Sequence, residues 1–147
     1  MKVSAKYFNN NKKKYDLIII DGGGRITASA RAAVSAADFI LVPTLASKPD
    51  AISTHSFFEE VVEEVAAIKG SVAGAVLFTM IKSGTVFNID GQEQIKQFGF
   101  PVFNTLIYNR ITYQEAIAQG KSALEFAPKS KAALEIKSLY KELSGCL

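Results

Sequence analysis

Residues 14–43, KYDLIIIDGGGRITASARAAVSAADFILVP, decide the fold. Leu17 to Ile20 is an unbroken apolar run rich in β-branched residues, the pattern of a strand covered on both faces. Asp21 closes the run, and Gly22, Gly23 and Gly24 follow. Thr27 to Ala37 reads as a short alanine-rich helix with Thr27 as its N-cap. Phe39 to Val42 is a second buried strand, stopped by Pro43. A strand, a glycine turn, a helix and a strand in that order predict a parallel βαβ unit. A carboxylate at the end of such a strand reaches the rim where ligands of open parallel sheets sit, and there it can orient a magnesium-bound water. Glycines behind it let a backbone approach a phosphate and move when the phosphate leaves.

The alternation continues outward. Pro49 to Ile68 reads as one long helix, with Phe58, Val61, Val62, Val65 and Ile68 on its apolar side and Glu59, Glu60, Glu63 and Glu64 on its wet side. Gly70 ends it. Val72 to Ile81 is a third strand, Asp90 to Phe98 a helix closed by Gly99, and Val102 to Ile107 a fourth strand. Ile111 to Gln119 is a helix ended by Gly120, and Lys129 to Leu143 a final amphipathic helix. The expected fold class is α/β, a parallel sheet with helices on both faces. Asp21, Pro43, Met80 and Tyr108 fall at the carboxyl ends of its strands.

Composition sets the bounds. The chain has 147 residues, 48% hydrophobic and 21% charged, enough for the core of one ordinary soluble domain. Its lone cysteine, Cys146, cannot form an internal disulfide, which suits a reducing compartment. One His and one Cys leave no zinc-type cluster. Apolar runs are too short to span a membrane. The net charge of +3 is front-loaded, since Lys2, Lys6, Lys12, Lys13 and Lys14 precede the first acid, Asp16. Residues 1–14 therefore read as a basic, flexible N-terminus without the apolar core of a signal peptide, and residues 15–147 as a single domain. A basic run of this kind serves as a nucleic-acid or lipid contact in some proteins and as a solvated tail in more of them.

Three rival readings fail on particular residues. A dinucleotide fingerprint breaks because its third glycine falls on Thr27, and because Val42 is followed by Pro43 and Thr44 rather than an acid. A phosphoacceptor receiver domain needs an earlier acidic cluster, and residues 1–14 hold no acid. Gly120-Lys121-Ser122 has the tail of a phosphate loop, but the earlier glycine would stand at Glu115, and the triplet follows a helix instead of preceding one. It reads as a helix C-cap.

With those residues in place, YDLIIIDGGGRITASARAAVSAADFILVPTLAS resembles the Walker B strand, switch II and following helix and strand of the ParA/MinD group of deviant-Walker ATPases, in particular ParA-type partition proteins. Leu77-Phe78-Thr79-Met80, TLIYNRITYQEAIAQG (residues 105–120) and FAPKSKAALEIKSLYKEL (residues 126–143) extend the resemblance. It implies an incomplete P-loop NTPase fold of the SIMIBI, ParA-like kind. It makes Asp21 the acid on the magnesium water, an indirect metal contact, and Gly22, Gly23 and Gly24 switch II. Thr79, Met80, Tyr108, Asn109 and Pro128 would lie near adenine. Arg110 is similar in position to residues that contact nonspecific DNA, and Lys129 and Lys131 extend that patch. The alternatives are a loop salt bridge for Arg110, with Glu115 as partner, and a solvated first helical turn for the two lysines. Tyr108 and Tyr113 read more naturally as packing residues than as a base-stacking pair, and His55 as structural or surface.

The resemblance further implies ATP and Mg2+ as cofactors, nonspecific DNA and a centromere-binding protein as partners, a homo-oligomer, no membrane contact, and a cytoplasmic location that is nucleoid-associated if DNA binding is kept. The family's lysine-rich phosphate loop and first strands have no counterpart in residues 1–14, so this chain alone should not hydrolyse ATP. A non-hydrolysing module that binds DNA or a partner, or a remnant, is the alternative to a plasmid or chromosome partition ATPase.

Overall fold

The computed structural model describes residues 14–23, 25–82, 93, 95–96 and 99–147. The chain forms two compact units that interleave along the sequence. One holds Met1–Ile40 and His55–Ala73, the other Leu41–Thr54 and Gly74–Leu147. Architecture is mixed α/β with parallel strands.

In the first unit, helix α1 (Ala28–Ala36) starts where the sequence predicts, because the Thr27 hydroxyl accepts from the Ala30 amide at 3.2 Å. The predicted long helix is interrupted. It runs as α2 (Lys48–Phe57), whose residues up to Thr54 belong to the second unit, a π-helical segment (Phe58–Glu63) and α3 (Glu64–Lys69), which Gly70 ends in a positive-φ conformation. Val34, Val61 and Val65 form the core, with Ile40, Phe57 and Val72 packed against it. The wider π turns make the apolar stripe lag behind an α-helical one. Ile68, which an uninterrupted helix would bring to the same side, is 85% exposed. Arg31 fastens α1 to this helical run, with Nε 2.7 Å from Glu64 and a second nitrogen donating to the Glu60 carbonyl at 3.2 Å.

One strand expectation is overturned here. Residues 17–20 join no ladder among the described residues, and instead of being covered on both faces Leu17 is 58% and Ile19 84% exposed. A strand exists only through its neighbours. The apolar run signals a demand for burial, and nothing described in this unit meets it.

The second unit is organised on strand β2 (Ala73–Phe78), whose last four residues are all buried, Val76 and Phe78 completely. On one side β2 pairs with β1 (Phe39–Thr44), and the Thr79 amide donates to the Thr44 carbonyl at 2.8 Å, so both strands end at the same rim. Thr44 and Thr54, both buried, satisfy each other at 2.8 Å. On its other side β2 meets Val102 through a parallel bridge from Val76, and beyond its end Ile81 forms a second parallel bridge with Tyr108. The continuous strand expected over 102–107 is therefore broken. Phe103 N bonds to the Val76 carbonyl and Ile107 N to that of Phe78, so residues 104–106 bulge out of the ladder. Beyond the end of β2, Met80 adopts a left-handed φ of 54°.

Four-residue α5 (Ala123–Phe126) escaped the sequence reading; it lies between α4 (Ile111–Ala118) and α6 (Lys131–Ser144). Its signal was present, since Ser122 and Glu125 form a reciprocal capping box. Gly120, at φ 65°, closes α4 with its amide on the Ile117 carbonyl, which gives Gly120-Lys121-Ser122 a purely structural explanation. The helix expected over 90–98 lies largely outside the described residues. Within it Glu93, Ile95 and Lys96 are helical, and Ile95 is fully buried.

Thr27→Ala is expected to lower stability by about 1 kcal/mol, seen as a lower urea midpoint at constant m-value. An unchanged midpoint would mean the cap carries no load.

Candidate functional site

The pairing of Ile81 with Tyr108 brings two stretches of the chain to one rim. Asn109 N donates to the Ile81 carbonyl at 2.8 Å and Ile81 N to that of Ile107 at 3.1 Å. Thr79, Met80, Tyr108, Asn109 and Arg110 thus gather at the carboxyl ends of parallel strands, as ligand-binding residues of such sheets do. Thr79 is half-buried, with its hydroxyl 3.4 Å from the Thr44 carbonyl, and Met80 and Asn109 are exposed. Pro128 and Lys129 are exposed in the turn before α6, Ser130 caps that helix by accepting from Ala133 N at 3.2 Å, and Lys131 is exposed in its first turn.

What holds this rim is a pair of acids on α6. Glu135, whose side chain is only 12% exposed, takes the Arg110 guanidinium at 2.6 Å, the Tyr108 amide at 3.2 Å and the Tyr113 hydroxyl at 2.9 Å. Arg110 lies over the Tyr108 ring, 5.0 Å from its centroid. Arg110 is therefore in an ion pair, and its partner is Glu135 rather than the neighbouring Glu115. Tyr113 packs as expected and donates to the Ala132 carbonyl at 3.1 Å as well as to Glu135. Burial, and then the hydrogen bond and charge of Glu135, push its phenol well above the usual range.

Two turns further on, Glu142 accepts from the amides of Asn104 and Thr105 at 2.7 and 2.9 Å and from the Asn104 side chain at 3.2 Å. These are the bulge amides that the ladder leaves unpaired. Burial on its own raises the Glu142 carboxyl, but the hydrogen bonds from Thr105 and Asn104 together outweigh it and hold the carboxyl below its ordinary value. Neither acid figured in the sequence reading. Their seven-residue spacing, which sets them on one face of an otherwise lysine-rich helix, was the available clue. A shallow groove of about 430 Å³ between the bulge and α6 is lined by Leu106, Tyr108, Leu134 and Ser138, among others.

Asp21, Gly22 and Gly23 belong to the other unit and are exposed, with no atom within 4 Å of a Cβ placed on either glycine. Gly24 lies outside the described residues. His55 pairs with Glu59 at 3.0 Å, a surface contact one helical turn away. No group of three or more metal-ligating side chains occurs among the described residues. No described helix is long and apolar enough to cross a membrane.

No protein-family model matches the chain. Over 141 residues it is 26% identical to the sporulation initiation inhibitor protein Soj of Bacillus subtilis (strain 168), an alignment covering 91% of this chain and 54% of Soj. Its fold is similar to that of the cell division ATPase MinD of Pyrococcus furiosus, with TM-score 0.76 and 19% identity over 97% of this chain and 57% of that one. Cyanothece McdA, solved as an ATP complex, matches at TM-score 0.62 and 20% identity, over 77% of this chain and 45% of that one. The chain thus spans about half the length of these relatives. Its architecture is the P-loop NTPase fold of the ParA/MinD kind. The chain is thus similar in sequence to Soj and in fold to MinD and McdA.

Two outcomes test the acid pair. With a folded pKa below the ordinary 4.5, Glu142 contributes stability that is present above that value and lost as pH falls through the lowered one. Glu142→Gln should therefore destabilise most at neutral pH, with the deficit against wild type shrinking on acidification in urea titrations; a deficit independent of pH would contradict this. A double-mutant cycle on Arg110→Ala and Glu135→Ala should give a coupling of about 1–3 kcal/mol. Additive single losses would show that the pair does not act as a unit.

Proposed function

We propose that the chain is a ParA-like relative of partition or positioning ATPases that binds DNA nonspecifically through α6 and does not turn over ATP by itself. The observation that carries the DNA reading is the pair of exposed lysines, Lys129 and Lys131, around the Ser130 cap of a 14-residue helix. A helix N-terminus already carries partial positive charge, so lysines there are unfavourable by about 0.3–1 kcal/mol each unless an anion approaches. A backbone phosphate is such an anion, and contacts of this kind need charge rather than sequence. Arg110, held by Glu135, anchors the rim beside this patch and contributes to it mainly through position.

For ATP the residues fit unequally. The half-buried Tyr108 with Thr79, Met80, Asn109 and Pro128 suits the adenine side expected from the resemblance. Asp21 keeps the place of a Walker B acid, the group that would orient a magnesium water when nucleotide is bound. A triphosphate is not matched: Gly22 and Gly23 stand in open space, and the 147 residues hold no glycine-rich loop with the phosphate-binding lysine. A centromere-type partner protein and a homo-oligomer, both implied by the family resemblance of the sequence, complete the proposal.

Retention on a random-sequence duplex should fall steeply with salt, and Lys129→Ala and Lys131→Ala should each lower the log–log salt slope by about 1. No retention at low salt would remove the DNA reading. Purified chain should show no ATP turnover above background; measurable hydrolysis abolished by Asp21→Ala would overturn the second half.

A further inference from the structure

Residues 102–109, VFNTLIYN, hold no charge, no proline and no glycine, and are rich in β-branched and aromatic side chains. That is the composition of segments that stack on identical copies of themselves as β-sheet. Their amides divide by partner. Those of Phe103, Ile107 and Asn109 donate to the carbonyls of Val76, Phe78 and Ile81 at 2.9, 3.0 and 2.8 Å. Those of Asn104, Thr105 and Tyr108 donate instead to α6, at 2.7 and 2.9 Å to Glu142 and at 3.2 Å to Glu135. The first set joins the run to β2 and the residues just beyond it. The second set is what a further strand would use, and two carboxylates take that strand's place. As charged acceptors they hold these amides more firmly than a neighbouring carbonyl would.

We propose that Glu135 and Glu142 guard this edge, keeping residues 104–108 from pairing with the same residues of a second copy. The run itself argues for that occupant. Without a charge or a proline, identical copies align in register with no like-charge opposition. Asn104 and Asn109, both exposed, then form ladders of side-chain amides that reinforce such stacks. The cover is in place among the described residues, so the edge stays closed unless α6 yields. It yields from one end. Glu142 lies in the last turn of the helix, where helices fray, whereas Glu135 sits one turn inside the capped start and also holds Arg110 and Tyr113. The amides of Asn104 and Thr105 are therefore released first and that of Tyr108 last. This role goes beyond the proposed function and requires neither nucleotide nor DNA.

Hydrogen exchange on the unmodified chain tests the order of release. Corrected for intrinsic rates, the Asn104 and Thr105 amides should exchange about ten-fold faster than that of Tyr108, and equal or reversed protection would contradict the proposal. Removing the guard tests its purpose. Glu142→Ala should assemble at about a ten-fold lower concentration than wild type, read by thioflavin fluorescence and by mass in sedimentation, because the charge-assisted hydrogen bonds that favour the closed edge are lost. Adding Asn104→Lys to Glu142→Ala should suppress assembly without recovering the urea midpoint, since copies in register would stack lysine on lysine. Lys141→Ala, at an exposed position in the same helical turn, should behave as wild type. A Glu142→Ala chain that stays monomeric, assembly that Asn104→Lys leaves unchanged, or equal assembly by Lys141→Ala would each overturn the proposal.

Discussion

The Glu135 carboxylate is the contact on which the second unit depends. Tyr108, Arg110 and Tyr113 all converge on it, from a strand end, a rim turn and a helix. Burying a carboxylate is costly unless its oxygens are filled, and removing a partner leaves an uncompensated charge. With the oxygens filled, the rim after the second bridge has one position. Glu142 repeats the device two turns later, where bulged residues would otherwise leave amides unsatisfied. Helix α6 therefore does for this irregular run what a neighbouring strand does for a regular one.

That helix has two jobs on two faces. Its acids turn inward and hold the rim, while Lys131, Lys137 and Lys141 stay in solvent and Lys129 precedes its cap. The same side-chain periodicity separates them. A helix of this kind links the rim's geometry to the charge it presents.

Local features were legible in the sequence and long-range ones were not. Thr27, Gly70 and Gly120 act within a few residues of themselves, and each ends or starts a helix as read. Strand β2 was visible as an apolar run because it is buried throughout its last four residues. The break in 101–109 was hidden, since a bulge is defined by hydrogen bonds to a partner some 26 positions earlier. Arg110 shows the same limit. Glu115 was the nearby candidate, yet Glu135 is the partner, brought in by the turn from α4 through α5. The 17–20 run carried a burial signal that periodicity cannot assign to any neighbour. Of the candidate site, Thr79, Met80, Tyr108 and Asn109 lie at one rim, Pro128 lies in the turn before α6, and Asp21 belongs to the other unit.

The central proposal is that this chain carries the base-side wall of a ParA-like site and gains little from the phosphates of ATP. The most direct measurement is the ratio of its affinities for adenosine and for ATP with magnesium, read by titration calorimetry or amide shifts at Tyr108 and Asn109. The account predicts two weak affinities that agree within a few-fold, because the phosphates gain no contacts. ATP binding about a hundred-fold tighter than adenosine, equivalent to roughly 2.7 kcal/mol held by the phosphates, would contradict it.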